Sequence, residues 1–138
     1  MIPVVVDCNV VMAACGWRSE PYFCLVAMAR RQVRAFITER IEEECRRVAR
    51  RMEADRIFTR SPWPMLNWYL AACDRVQASP VGKRRSRDAS DDEYLACALA
   101  AKADLVVSRD PDLLALEKPF GISIVTPRQL LSRLSFDG

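Results

Sequence analysis

The 138-residue chain contains no histidine. That absence excludes Ser-His-Asp and Cys-His catalysis, imidazole general bases and every zinc site with a histidine ligand. There is no C-x-x-C pair among the six cysteines, Cys8, Cys15, Cys24, Cys45, Cys73 and Cys97. Four of them fall at apolar positions of predicted helices, so they read as small, reduced core residues rather than a disulfide framework or a Cys-only zinc site. No apolar run approaches the roughly 20 residues that a bilayer crossing requires. The opening Met1-Ile2-Pro3-Val4-Val5-Val6-Asp7 has no basic segment and meets a carboxylate too early for a signal peptide. The expectation is a cytoplasmic protein with no membrane partner. Lysine is scarce: 3 Lys and 18 Arg stand against 10 Asp and 8 Glu, for a net charge of +3. The guanidinium fork matches phosphate and stacks on bases, although a GC-rich genome accounts for the same bias equally well.

The composition, 51% hydrophobic and 28% charged, rules out a disordered or fibrous chain. The length suits one compact core, and no repeat, low-complexity tract or linker interrupts it, so residues 1–138 are taken as a single domain. Pro3 to Asp7 is a short β-branched run ending in a carboxylate, the pattern of a strand buried on both faces. A helix is predicted from about 20 to 32, with Ser19 as its cap, and a brief strand at Ala35-Phe36-Ile37. From Thr38 to about Ala54, Ile41, Cys45, Val48 and Met52 form one apolar stripe on a charged helix. Leu66, Tyr69, Leu70, Cys73 and Val76 mark a third amphipathic helix after the breaker Ser61-Pro62-Trp63-Pro64. Residues 79 to 91 are loop-like, and Ser90 to Glu93 have the capping-box form that opens an apolar, interior helix from Tyr94 to Ala101. Asp104 to Ser108 is a second buried strand, Pro111 to Leu116 a short helix, and Ile122 to Val125 a last strand. Thr126 and Pro127 then start the C-terminal helix. Strands alternating with helices predict an α/β/α sandwich around a central parallel sheet.

Four acids stand out by position. Asp7 ends the first buried strand and Asp110 follows the second, and ligands of open parallel sheets bind beyond the carboxyl ends of strands. Asp92 lies in the first turn of the interior helix, and Glu44 on the charged helix beside Cys45. Carboxylates that converge need a cation, since at about 5 Å and an effective dielectric near 20 each ionised pair repels by roughly 3 kcal/mol. Oxygen ligands without His or Cys select Mg²⁺ or Mn²⁺, ions that serve phosphate chemistry. Each acid also has a structural explanation. Asp91, Asp92 and Glu93 suit a helix N-terminus. Glu42, Glu43 and Glu44 are spaced to pair with Arg46, Arg47 and Arg50, and Asp110 and Asp112 suit a turn or a cap. Asp7 resists that treatment, because a carboxylate at the tip of a Val-Val-Val strand is costly to bury without a role.

Taken together, these segments resemble the PIN-domain nucleases. Val4-Val5-Val6-Asp7-Cys8-Asn9-Val10-Val11 resembles their opening strand and D-[TS]-N motif, and Ile41 to Cys45 their central acidic helix. Asp88 to Ala96 is similar to the D-x-x-D-D-x-(aromatic)-L-A segment of the VapC-like toxin branch. Val106 to Leu114 resembles the closing T/S-x-D-x-D-L-L, and Ile124 to Arg128 the terminal strand and helix start. The resemblance implies a Mg²⁺- or Mn²⁺-dependent endoribonuclease acting on single-stranded RNA, the toxin of a type II toxin–antitoxin pair, with a cognate antitoxin as partner and a homodimer as its assembly. By motif position the catalytic and metal-binding acids are Asp7, Glu44, Asp92 and Asp110, with Asn9, Asp112 and Ser108 in supporting positions. Adjacent glutamates point about 100° apart on a helix, so only one of Glu43 and Glu44 faces the site, and the apolar residue that follows selects Glu44. Cys8 departs from the pattern, placing a weakly bonding thiol where the family carries a hydroxyl.

Lys83, Arg84, Arg85 and Arg87, in the loop before Asp92, and Arg109, beside Asp110, are candidates for guiding an RNA backbone; a solvated basic loop is the plain alternative. Trp17, Trp63 and Trp68 offer stacking surfaces, although core packing is the commoner use. A receiver-like phosphoacceptor domain needs paired acids after the first strand and a lysine after the last, and neither is present. A dehalogenase-like phosphatase needs D-x-D, which Asn9 breaks. A noncatalytic PIN-fold module that binds RNA or protein is the remaining rival.

Overall fold

The structure is a computed structural model. It describes residues 1–79 and 89–137, with only the backbone described for residues 89–91, 136 and 137. Its frame is a five-stranded, all-parallel sheet in the order β3-β2-β1-β4-β5. β1 (Ile2–Val6) is central. It pairs with β2 (Val33–Ile37) on one side, Val4 opposite Ala35, and with β4 (Leu105–Val107) on the other, Val4 opposite Leu105 and Val6 opposite Val107. Both faces of β1 are covered, which is why Val4, Val5 and Val6 form an unbroken apolar run rather than an alternating one. β3 (Asp74–Arg75) and β5 (Ser123–Val125) close the edges.

Helices fill both faces. Asp7 caps α1 (Cys8–Gly16), accepting the Asn9 N–H, and this helix is buried almost all round. α2 (Glu20–Ala29) follows, with Ser19 at the cap position but no side-chain cap bond. The expected stripe on α3 (Glu39–Ala54) is present, with Ile41, Cys45 and Val48 buried, and Thr38 caps it by accepting the Ile41 N–H at 3.2 Å. α4 (Trp63–Ala72) is shorter than its apolar spacing suggested. The chain leaves the helix at Cys73 and extends into β3, so Val76 is not on the helix face but donates its N–H to Ile37 beyond the sheet edge.

α5 (Ala89–Ala101) begins before the anticipated Ser90 cap and packs across β1, β2 and β4, with Tyr94 to Ala98 buried. α6 (Pro111–Leu114) and a 3-10 turn (Pro119–Gly121) precede β5. α7 (Pro127–Asp137) opens with reciprocal bonds, Gln129 N–H to Thr126 Oγ1 at 3.1 Å and Thr126 N–H to Gln129 Oε1 at 2.8 Å. All six cysteines are buried free thiols. Burial pushes Cys15, Cys24, Cys73 and Cys97 up to about 12, so they stay protonated packing groups.

Three helices end in the same way without glycine. Arg31, Arg56 and Lys102 have φ of 61°, 57° and 54°. The next residue's N–H then returns to the helix, as Ala103 does to the Ala98 carbonyl at 2.9 Å. A side chain in that left-handed region is strained by about 1–2 kcal/mol, partly offset by the extra chain entropy that glycine would lose on folding. Lys102→Gly is therefore expected to stabilise the fold by about 0.5 kcal/mol, read as a raised urea midpoint with unchanged slope.

Candidate metal-binding active site

The sheet order reverses at β1: the chain runs outward to β2 and β3 on one side and to β4 and β5 on the other. Ligands of open parallel sheets bind at such a crossover, beyond the strand tips. Asp7 leaves β1 there and Ser108 leaves β4 beside it. The Asp7 N–H donates to the Val107 carbonyl at 2.9 Å and the Ser108 N–H to that of Val125 at 2.8 Å, so each tip is an extension of the ladder. The Ser108 hydroxyl donates to Asp7 Oδ2 at 2.7 Å, while Asp7 Oδ1 accepts the Asn9 N–H at 3.0 Å. Ser108 Oγ in turn accepts the Asp110 N–H at 3.0 Å, and Asp110 Oδ1 accepts the Asp112 N–H at 2.9 Å as the cap of α6.

Asp7 is only 3% exposed. Burial pushes its carboxyl above the ordinary aspartate range. The bonds from Ser108 and Asn9 oppose that shift, the neighbouring Asp110 charge adds to it, and the Tyr94 hydroxyl opposes it again. Asp7 and Asp110 are thus brought within electrostatic reach, each with its carboxylate aimed by backbone donors.

Tyr94 is the site residue whose role the sequence did not disclose. Its buried hydroxyl accepts the Cys8 N–H at 3.0 Å. Burial first, and then the neighbouring Asp7 and Glu44 carboxylates, push the phenol far above its ordinary value and keep it protonated. Glu44 therefore lies in the same electrostatic neighbourhood as Asp7, half-buried, with Arg47 4.0 Å away. Glu43 points elsewhere, into a groove shared with Arg40, Arg75 and Glu93. Glu42 is a surface partner: burial alone would raise it, but bonds from Arg75 and Arg46 hold it below the ordinary range.

Cys8 faces the core, its thiol in hydrogen-bond contact with that of Cys45, so the departure at this position alters packing rather than placing sulfur at Asp7. Asn9, Arg109 and Asp112 are exposed at the rim. Lys83, Arg84, Arg85 and Arg87 lie outside the described residues.

The rotation of α5 orders its polar residues over the strand tips. Tyr94 reaches the end of β1, and Glu93, about 100° round the helix, accepts the Thr38 hydroxyl at 2.9 Å beyond β2. Asp92, half-buried, lies in the first turn of the same helix. Among the described residues, no three His, Cys, Asp or Glu side chains are close enough to form a finished cation cage. The donor set nevertheless suits a hard divalent ion. It consists of carboxylate oxygens, and one of the carboxylates is buried, its carboxyl raised by that burial.

A family model of the PIN domain matches residues 3–112. The chain belongs to the PIN domain family. The crystal structure of PAE2754 from Pyrobaculum aerophilum is similar to it with a TM-score of 0.65 and 18% identity, over 98% of this chain and 90% of that one, and supports the fold. No curated protein matches the sequence significantly. PIN domains are generally nucleases that use divalent ions, so membership gives this chain a nuclease-type function. Among the described residues no helix is long and apolar enough to cross a membrane.

The raised Asp7 carboxyl has a definite sign in stability. A group protonated more readily in the folded state stabilises the fold at acid pH, and that contribution is lost as pH rises through the folded value. In Asp7→Asn, Oδ1 can still accept from Asn9 and the amide can donate to Ser108. Asp7→Asn is expected to melt at a higher temperature than the wild type at pH 7 in EDTA, and the difference should shrink toward pH 4. Differential scanning calorimetry checks both.

Proposed function

We propose that this PIN domain is a Mg²⁺- or Mn²⁺-dependent endoribonuclease that hydrolyses phosphodiester bonds of single-stranded RNA, and that it serves as the toxin of a type II toxin–antitoxin pair. The observation that carries the reading is Asp7: a buried carboxylate fixed by Ser108 and Asn9 at the sheet crossover, within reach of the Asp110 charge. Asp7, Asp110, Glu44 and an acid from the first turn of α5 would hold the ion. Asp92 occupies the motif position in that turn.

An ion held by these acids would supply an activated water and neutralise charge on the phosphodiester. Asp7 presents one carboxylate in a single orientation, because both of its oxygens are tied. Ser108 holds that orientation and also receives the Asp110 N–H, so the two acids share one frame. Arg109, exposed next to Asp110 in the sequence, would meet a substrate phosphate. No imidazole is required, which agrees with a chain that has none. An antitoxin protein and a second copy of the chain are the partners this reading brings. A noncatalytic PIN-fold module is the second reading, and the lack of a finished three-acid cage among the described residues favours it.

Purified protein is expected to cleave single-stranded RNA with Mn²⁺ or Mg²⁺ and to lose that activity in EDTA. Asp7→Asn and Asp110→Asn should each reduce the rate at least about 100-fold, about 3 kcal/mol in the barrier. Asp92→Asn should lose more activity than Asp91→Asn. EDTA-resistant cleavage, or wild-type rates in Asp7→Asn, would falsify the mechanism. Mn²⁺ should also raise the melting temperature of the wild type by mass action, and a noncatalytic module with a degenerate site would show no such shift. Induced expression should arrest growth with the wild-type chain but not with Asp110→Asn.

A further inference from the structure

The core holds two fully enclosed tyrosines, and they are used differently. Tyr69 is 0% exposed, and its hydroxyl meets the Cys73 thiol inside the core, so it is a packing residue. Tyr94 is 2% exposed, and its hydroxyl is engaged. It sits on α5, yet the donor it receives is the backbone N–H of Cys8, 86 residues away in sequence and directly after Asp7. A buried peptide N–H at the first residue of α1 has no partner within its own helix, so an acceptor must come from elsewhere. The Tyr94 hydroxyl is that acceptor, at 3.0 Å.

We propose that Tyr94 is a positioning residue of the metal site, its hydroxyl fastening the Asp7–Cys8 junction to α5 so that Asp7 and the acids of α3 and α5 keep one geometry. The proposal rests on the nuclease reading above for its purpose, though not for its geometry. Tyr94 joins three segments. The β1 tip supplies Asp7, α3 supplies Glu44, and the first turn of α5 stands directly N-terminal to Tyr94. Glu93 makes a second fastening to Thr38, at the tip of β2. Two consecutive residues of α5 therefore grip two adjacent strand ends, which fixes the rotation of that turn about its axis. An apolar ring in place of the phenol would fill the same space but leave the Cys8 N–H without its acceptor.

The test compares wild type, Tyr94→Phe and Leu131→Ala. Leu131→Ala is a stability control on α7, a helix that packs on α2 and β5. In ¹⁵N-labelled protein, the Cys8 amide should shift and exchange faster in Tyr94→Phe alone. Mn²⁺ affinity, read by calorimetric titration, should weaken at least about tenfold in Tyr94→Phe, the usual effect of losing a group that orients a ligand. It should stay at the wild-type value in Leu131→Ala. In RNA cleavage, kcat should fall with KM nearly unchanged.

Wild-type Mn²⁺ affinity in Tyr94→Phe overturns the proposal, as does an equal loss in Leu131→Ala. A wild type that binds Mn²⁺ but does not cleave RNA removes the nuclease reading and leaves the affinity comparison to decide on Tyr94. A wild type that binds no Mn²⁺ overturns both.

Discussion

The bond from the Ser108 hydroxyl to the Asp7 carboxylate joins two strands at the one place where the sheet changes direction. At a crossover the connections diverge to opposite sides, so the two strand tips stand side by side. A side chain placed there is held by the ladder below it and by whatever the neighbouring tip offers. Asp7 receives both kinds of support, since its backbone continues the β1–β4 ladder and its two oxygens accept from Asn9 and Ser108. Without the hydroxyl from β4, a desolvated carboxylate would lack its shortest bond, and the link from Asp7 through Ser108 to the Asp110 amide would be broken.

α5 is the second determinant. It is apolar enough to lie across β1, β2 and β4, and its first turns carry the polar groups that make the packing directional. Apolar contact alone tolerates rotation of a helix about its axis, because dispersion has little angular preference. Two hydrogen bonds from adjacent residues to adjacent strand tips remove that freedom. The same helix thus serves as a core element along most of its length and as a part of the site at its start.

Much of this was legible in the sequence because the physical signals are local. The unbroken Val4-Val5-Val6 and Leu105-Val106-Val107 runs identify buried parallel strands, and an acid just past each is conspicuous against such neighbours. The α3 stripe was equally plain, since Ile41, Cys45 and Val48 recur among charges. Three features were hidden, each for its own reason. β3 is two residues long and exists only through its pairing with β2, so Cys73 to Val76 continued the helical spacing of α4 on paper. α1 is buried nearly all round and has no polar face to reveal a period. Tyr94 read as one more apolar residue in an interior helix, because the partner of its hydroxyl is a peptide N–H, and no residue type advertises that.

The same buried carboxylate has an evolutionary consequence. Asp7 is held in an environment that resists its charge, so the folded chain would be better off, in isolation, with a neutral group of the same shape. Laboratory selection for heat tolerance alone should therefore discard this acid early, along with the packing irregularities that most proteins shed under such pressure. Its survival in a natural lineage would mark selection for something other than endurance of the fold.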